Sequence, residues 1–95
     1  MDFYESWWFL KNHKIFNDSF EYDGFWTYVP KVNPETLSID DDKMKNTKVR
    51  VWLEAFPIVE GQGRIHDYDL DCGGDTFEEA IIELARLVMG KYGDN

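Results

Sequence analysis

The chain has 95 residues and a formal net charge of -9, with 19 acidic against 10 basic side chains. Its composition, 43% hydrophobic and 17% aromatic, excludes a disordered acidic tail and predicts one folded domain over residues 1–95. The negative charge disfavours direct binding to nucleic acids, because phosphate backbones require clustered Lys and Arg.

The first segment has the pattern of a short amphipathic helix over about residues 3–13. Asp2 and Glu5 have the spacing of a capping box, and Phe3, Trp7 and Leu10 share one helical face. His13 is expected to cap the end of this helix. An acidic start without a basic region and an apolar run predicts neither secretion nor membrane insertion.

Residues 19–32 are rich in aromatic and β-branched side chains, which predicts the first strand. Asp23-Gly24 interrupts the alternation as either a bulge or an early turn. Residues 33–36 have turn chemistry, and a polar loop is expected to continue to about Thr47. Leu37 and Ile39 are expected to pair briefly within this loop.

Residues 48–56 alternate as a second strand before Pro57 ends its ladder. One face carries Val49, Val51, Leu53 and Ala55, and the other carries Lys48, Arg50, Trp52, Glu54 and Phe56. Trp52 and Phe56 therefore point away from the apolar face. Either the long loop covers them or they form an exposed patch, which predicts an interaction surface and a homodimer.

Gly61-Gln62-Gly63 leads to a predicted third strand over about residues 64–72. In extended backbone, Asp67, Asp69 and Asp71 share one face, and Tyr68, Leu70 and Cys72 share the other. The aspartates are then expected to face Lys48 and Arg50 across an antiparallel hairpin.

The last helix is predicted over about residues 77–91, where Thr76 and Glu79 form a second capping box. The elements together predict an α+β fold (α-β-β-β-α), a three-stranded antiparallel meander with both helices on one sheet face. The expected core is Val49, Val51, Leu53, Tyr68, Leu70, Ile81, Leu84 and Val88.

No catalytic residue, metal ligand or cofactor site is predicted, and the chain is not expected to be an enzyme. Asp67, Asp69, Asp71 and Glu78 do match ligand positions 1, 3, 5 and 12 of a calcium loop, so a calcium- or magnesium-binding protein or metal-dependent enzyme is the alternative. His66 is interpreted as a core or edge histidine, and Cys72 as a buried thiol. With a single cysteine, no intrachain disulfide forms, which favours a reducing cytoplasm.

Two resemblances add to these expectations. Residues 71–80, in which Asp71-Cys72-Gly73-Gly74 leads into a helix with Glu78-Glu79-Ala80, resemble the strand-to-helix junction of HicB-type antitoxins. This resemblance implies a HicB-like antitoxin fragment as a further alternative. Across its length, the chain resembles small uncharacterised proteins of bacteriophages and prophages, by its aromatic first helix, residues 31–36 and residues 69–80. That resemblance implies a protein that binds a host protein.

The expected function is therefore an acidic, cytoplasmic, protein-binding module that engages a basic site on a partner of unknown identity. The helix, strand, strand, strand, helix order is also similar to the double-stranded RNA-binding topology, but the basic contacts of that fold are missing. The charge instead favours a surface that imitates a nucleic-acid backbone, with no role for direct nucleic-acid or membrane binding. The expected interaction surface consists of Asp67, Asp69, Asp71, Glu78, Glu79, Glu83, Trp52 and Phe56.

Overall fold

The computed structural model describes residues 1–36, 38–39 and 49–95. It has the α+β fold that the sequence predicts, in which the strands of an antiparallel sheet follow an N-terminal helix and precede a C-terminal helix along the chain. The helices are α1 (Phe3–Asn12), α2 (Phe20–Asp23) and α3 (Phe77–Tyr92), with 3-10 turns at Lys14–Phe16 and Tyr68–Leu70. The strands are β1 (Phe25–Tyr28), β2 (Val32–Asn33), β3 (Ser38–Ile39), β4 (Val51–Ala55), β5 (Ile58–Val59), β6 (Gly63–Arg64) and β7 (Cys72–Gly74).

The main sheet has the order β1-β4-β7, so its strands follow the chain as a meander. A small hairpin interrupts each long connection, β2 with β3 in the first and β5 with β6 in the second. Ile39 pairs with Val32, which precedes the predicted loop, while Leu37 and residues 40–47 lie outside the described residues. The Asn33 side chain accepts a hydrogen bond from the Glu35 amide at 2.9 Å, which confirms the turn chemistry there.

Helix α1 begins and ends where local signals predict. The Asp2 carboxylate accepts a hydrogen bond from the Glu5 amide at 2.8 Å, and His13 is the C-cap residue. His13 is buried, and its ring nitrogen Nε2 donates to the Gly93 carbonyl at 3.0 Å. This bond ties the end of α1 to the end of α3.

The expected first strand over residues 19–32 is wrong at its start, because residues 20–23 form α2. Phe20 is fully buried, and its ring lies 5.2 Å from that of Trp7 and 4.8 Å from that of Phe25. A Cβ at Gly24 would lie 2.6 Å from the Phe20 Cα, so glycine permits the tight turn into β1. Burial of one aromatic ring has outweighed the strand preference of this segment.

Helix α3 supplies much of the core, and Thr76 caps its start as predicted, although the Glu79 carboxylate accepts from the Asp75 amide and not from Thr76. The Thr76 hydroxyl accepts a hydrogen bond from the Glu79 amide at 3.2 Å. The Phe25 ring on β1 lies 6.0 Å from Trp7 of α1 and 5.9 Å from Phe77 of α3, so both helices pack on one sheet face. The buried core comprises Leu10, Ile15, Phe16, Phe20, Leu53, Ala55, Leu70, Cys72, Ala80, Ile81, Leu84, Ala85 and Val88.

Two residues of the expected core lie elsewhere. Tyr68 is 76% exposed, and Val49 packs over Gly73, which pairs with Trp52 on the sheet face opposite the helices. The predicted strand over residues 64–72 is also wrong, since its first residue, Arg64, pairs with β5 and residues 68–70 form a 3-10 turn. The true third strand is Cys72–Gly74, whose glycines let the backbone approach α3: a Cβ at Gly74 would lie 2.8 Å from the Ala80 nitrogen.

Candidate functional site

Asp67, Asp69 and Asp71 do not share one face of a strand. Asp67 is the N-cap of the 3-10 turn, and its carboxylate accepts a hydrogen bond from the Asp69 amide at 3.0 Å. Asp67 is only 8% exposed, whereas the Asp69 side chain is 77% exposed. Asp71 pairs instead with His66, whose Nε2 lies 2.6 Å from the Asp71 Oδ1. The expected row of equivalent carboxylates is therefore three different environments.

Asp67 is held by the end of α3. The Lys91 ammonium donates to both Asp67 oxygens, at 3.0 and 2.8 Å, and to Asp69 Oδ2 at 3.0 Å. The Tyr92 hydroxyl also donates to Asp67. Desolvation opposes ionisation of Asp67, but these hydrogen bonds outweigh it and hold the pKa of the carboxyl below its usual value. The same contacts raise the pKa of Lys91.

This cluster bears directly on the calcium-loop alternative. Lys91 places its own cationic group between two of the carboxylates that the calcium reading assigns to a metal ion. Within residues 1–36, 38–39 and 49–95, no group of three His, Cys, Asp or Glu side chains is arranged to hold a metal.

The three glutamates of the predicted surface lie on α3. Glu79 accepts a hydrogen bond from the Asp75 amide at 3.0 Å, and Glu83 forms an ion pair with Arg86 that lowers its pKa. Glu78 and Glu79 begin the helix, whereas Lys91 and its aspartates lie at the other end, about 18 Å away at 1.5 Å per residue. The structure therefore does not gather the predicted acidic residues into one patch.

Cys72 is buried beneath the same helix, as the sequence predicts. Burial, followed by the nearby carboxylates of Glu83 and Asp71, raises the pKa of its thiol to about 12. Its Sγ lies 3.5 Å from the Ala80 carbonyl oxygen, to which the thiol donates. The group remains a protonated packing residue, since only the thiolate is a good nucleophile.

The sheet face away from the helices carries the most distinctive surface. Trp26 pairs with Glu54 across β1 and β4, and Tyr28 pairs with Trp52, so these side chains share that face. Trp26 is 63% exposed, and Trp52 is half-buried, as is Phe56 just beyond the strand. The outward direction predicted for Trp52 is confirmed, whereas the alternative of cover by the loop over residues 33–47 involves residues 37 and 40–47, which lie outside the described residues.

A groove of about 480 Å³ lies on this face, lined by Trp52, Glu54, His66, Tyr68 and Asp71. The Phe56, His66 and Tyr68 rings form a column, with centroids 5.2 Å apart for the first pair and 4.0 Å for the second. The His66–Asp71 hydrogen bond fixes the imidazole within this column. We call the five lining residues the aromatic–acidic groove.

Sequence reasoning identified Trp52 and Asp71 but missed the other three lining residues. Tyr68 was assigned to the core because it alternates with Leu70, and Glu54 was treated as an ordinary strand residue. The available signal was the alternation along the strand, which places Trp52, Glu54 and Phe56 on the face away from the apolar residues. The 3-10 turn that brings Tyr68 and His66 over this face has no such local pattern.

Comparison with known proteins finds no match: no family profile, no curated protein and no solved structure matches this chain. None of the described helices is long and apolar enough to cross a membrane.

Proposed function

We propose that this chain is a protein-binding module that takes a cationic segment of a partner protein in the aromatic–acidic groove. The observation that carries the proposal is the combination of Trp52 and Tyr68 rings with the Glu54 and Asp71 carboxylates around one groove. A Lys or Arg side chain can stack its charge over an aromatic face while pairing with a carboxylate.

The size and charge of the surface support this assignment. A groove of about 480 Å³ is large enough for one long side chain and its flanking backbone. The net charge of -9 attracts basic partners from a distance and raises their rate of association. The aromatic–acidic groove keeps Trp52 and Asp71 from the sequence-based set and adds Glu54, His66 and Tyr68, while Phe56 of that set packs against the His66 ring.

We propose binding rather than catalysis for this groove. The His66–Asp71 pair has the geometry to orient an imidazole, but covalent catalysis also needs a side-chain nucleophile within reach of that imidazole. The five described lining residues include no serine, threonine or cysteine. We further propose a cytoplasmic, phage-derived protein, supported by the lone buried cysteine and by the resemblance of residues 69–80, so a bacterial protein is the first partner to seek.

The proposal is tested by isothermal titration calorimetry with an arginine-rich peptide and its citrulline counterpart, which lacks the charge. The arginine peptide should bind, with an affinity that falls as salt rises, and the citrulline peptide should bind at least about tenfold more weakly. Tyr68→Ala and Asp71→Asn should each weaken binding of the arginine peptide by about tenfold, because each removes one half of the cation site.

Two matched controls distinguish the groove from general acidity. Tyr22→Ala removes a tyrosine that is 81% exposed on α2, and Asp69→Asn removes an exposed carboxylate outside the groove. Both should bind the peptide as the unmodified chain does. Equal losses in Asp69→Asn and Asp71→Asn would show that the net charge accounts for binding, and equal losses in Tyr22→Ala and Tyr68→Ala would show that the position of the tyrosine does not matter. Either result would contradict the role of the groove.

A further inference from the structure

Strand β1 is an edge of the main sheet, because β4 pairs with it on one side and no described strand pairs on the other. The Phe56 amide donates to the Gly24 carbonyl at 2.8 Å. The backbone carbonyl of Gly24 therefore points toward the chain of β4 and not toward the open edge. In an antiparallel pair, every second residue directs its N–H and C=O groups at the partner strand, so the backbones of Trp26 and Tyr28 also form hydrogen bonds to β4. The backbone groups of Phe25, Thr27 and Val29 then point to the open edge.

The edge is well suited to accept another strand. Thr27 is exposed, as are Trp26 and Val29, and residues 25–29 contain no charged side chain. Uncharged, β-branched and aromatic edges are the ones that pair with another chain, whereas protected edges carry lysine, proline or a covering segment. Pro30 lies just beyond this stretch and limits its length.

The sequence around Thr27 is also complementary to itself. If two copies pair antiparallel about Thr27, Phe25 faces Val29 of the second copy, and Trp26 faces its Tyr28. The pairing also brings Lys31, which follows β1, toward the end of α2 in the second copy, where Asp23 lies, so opposite charges approach each other in chains that otherwise repel. Asp23 contacts Arg64 at 2.9 Å but keeps 60% of its side chain exposed, so it remains accessible.

We propose that two copies of this chain form a symmetric dimer by pairing their β1 edges about Thr27, joining two three-stranded sheets into one of six strands. The central and flanking pairs would form about six backbone hydrogen bonds between the copies. This inference goes beyond the binding function of the groove and does not depend on it. It is an alternative to face-to-face pairing through Trp52 and Phe56, because it uses the edge of the sheet and leaves those residues open.

Sedimentation velocity from about 5 to 500 µM tests the dimer. The mean mass should rise from 11.3 kDa toward twice that value as concentration increases. Thr27→Pro should remain monomeric, because proline removes the edge N–H at the centre of the interface while a residue at this position makes no ladder bond to β4. Thr27→Val keeps the N–H and should dimerise like the unmodified chain.

Disulfide cross-linking provides a second measurement that does not depend on the folding of the proline variant. Antiparallel pairing about Thr27 brings its two Cα atoms to about 5.5 Å, within reach of a disulfide, so Thr27→Cys should cross-link rapidly on mild oxidation. Tyr22→Cys is equally exposed but distant from the symmetry axis and should cross-link slowly. Cys72 is buried with a pKa of about 12, so it does not compete.

Three results would each overturn the proposal: a constant 11.3 kDa up to the highest concentration, dimerisation of Thr27→Pro, or equal cross-linking of the two cysteine variants. Lys31→Glu should weaken the dimer at low salt, and an unchanged dimer constant would also contradict the pairing. Tyr68→Ala separates this proposal from the groove, because it should lose peptide binding while its dimer mass stays unchanged.

Discussion

Asp67 and Asp69 are two residues apart, yet their environments give them different roles. The buried Asp67 carboxylate receives hydrogen bonds from Lys91, Tyr92 and a backbone amide, whereas the exposed Asp69 shares only Lys91 in the described contacts. Hydrogen bonds to a buried charged group contribute more than an exposed ion pair, which is weakened by water. Asp67 therefore anchors the 3-10 turn to α3.

We expect Asp67→Asn to lower the free energy of unfolding by about 1–3 kcal/mol, because it removes charge-assisted hydrogen bonds from a buried position. Asp69→Asn serves as the matched control and should change it by about 0–1 kcal/mol. Urea denaturation at neutral pH measures both. Equal effects of the two substitutions would contradict the anchoring role.

The same pair predicts a dependence on pH. Because the folded state lowers the pKa of Asp67 below 3.8, its ionisation stabilises the fold above that pH. The contribution disappears as pH falls through the lower folded-state pKa, when the carboxylate binds a proton in both states. The difference in melting temperature between the unmodified chain and Asp67→Asn should therefore shrink below about pH 3.8. This extends the Asp67 prediction to thermal melts.

The sequence reveals caps but not this anchor. Asp2 and Thr76 accept hydrogen bonds from amides three residues away, so spacing alone identified both, whereas the bond from His13 to the Gly93 carbonyl spans 80 residues. Lys91 lies 24 residues from Asp67, and nothing in the local pattern joins them. An isolated row of aspartates is consistent with a strand, a metal loop or a capped turn, and the distant lysine decides among these.

At the scale of elements, the contact between β7 and the first turn of α3 depends on Gly74. A Cβ there would lie 2.8 Å from the Ala80 nitrogen and from the Glu79 Cβ, neither of which can move without shifting the helix. Gly74→Ala should therefore destabilise the fold by about 1–3 kcal/mol, as overpacking does. Thermal melts followed by circular dichroism measure the loss.

Gly90 provides the control for that substitution. It lies in α3, and a Cβ there would meet nothing within 4 Å. Gly90→Ala should stabilise the fold by up to about 1 kcal/mol, through the higher helix propensity of alanine. A loss of stability at both positions would show that close approach to α3 is not what makes Gly74 necessary.

The elements differ in how far local pattern determined them. Helices α1 and α3 follow from a 3.6-residue apolar repeat with a cap at each start, and both signals lie within the element. Strand β7 was misplaced because residues 67–72 alternate as a strand would, although a capped turn and a distant ion pair hold them otherwise. Residues 20–23 were likewise predicted as a strand but form a helix, in which the Phe20 ring is buried between Trp7 and Phe25.

For the whole molecule, Leu84 on α3 is fully buried in the hydrophobic core. Leu84→Ala should lower the free energy of unfolding by about 2–5 kcal/mol, through lost transfer energy and the cavity that remains. Leu87→Ala, at a half-buried position of the same helix, should cost less. Urea denaturation measures both losses of unfolding free energy. A larger loss in Leu87→Ala than in Leu84→Ala would contradict the prediction.

The candidate surfaces follow from the two faces of one sheet. Helices cover the Phe25 face, so the Trp26 and Trp52 face and the β1 edge remain for partners among the described residues. The alternation along the strand could indicate that Trp52 points away from the apolar face. It could not indicate the groove, because the other wall of the groove comes from the turn at residues 66–71. A surface built by one strand and one distant turn exists only after the chain has folded.

Packing of α1 against α3 has a consequence for synthesis on the ribosome. The aromatic stripe of Phe3 and Trp7 meets Phe77, which is added to the growing chain at least 70 residues later. At about 5–20 residues per second, that stripe waits roughly 4–15 seconds for its covering helix. Acidic side chains at Asp2 and Glu5 flank it throughout that interval, and like charge between neighbouring nascent chains opposes their premature association.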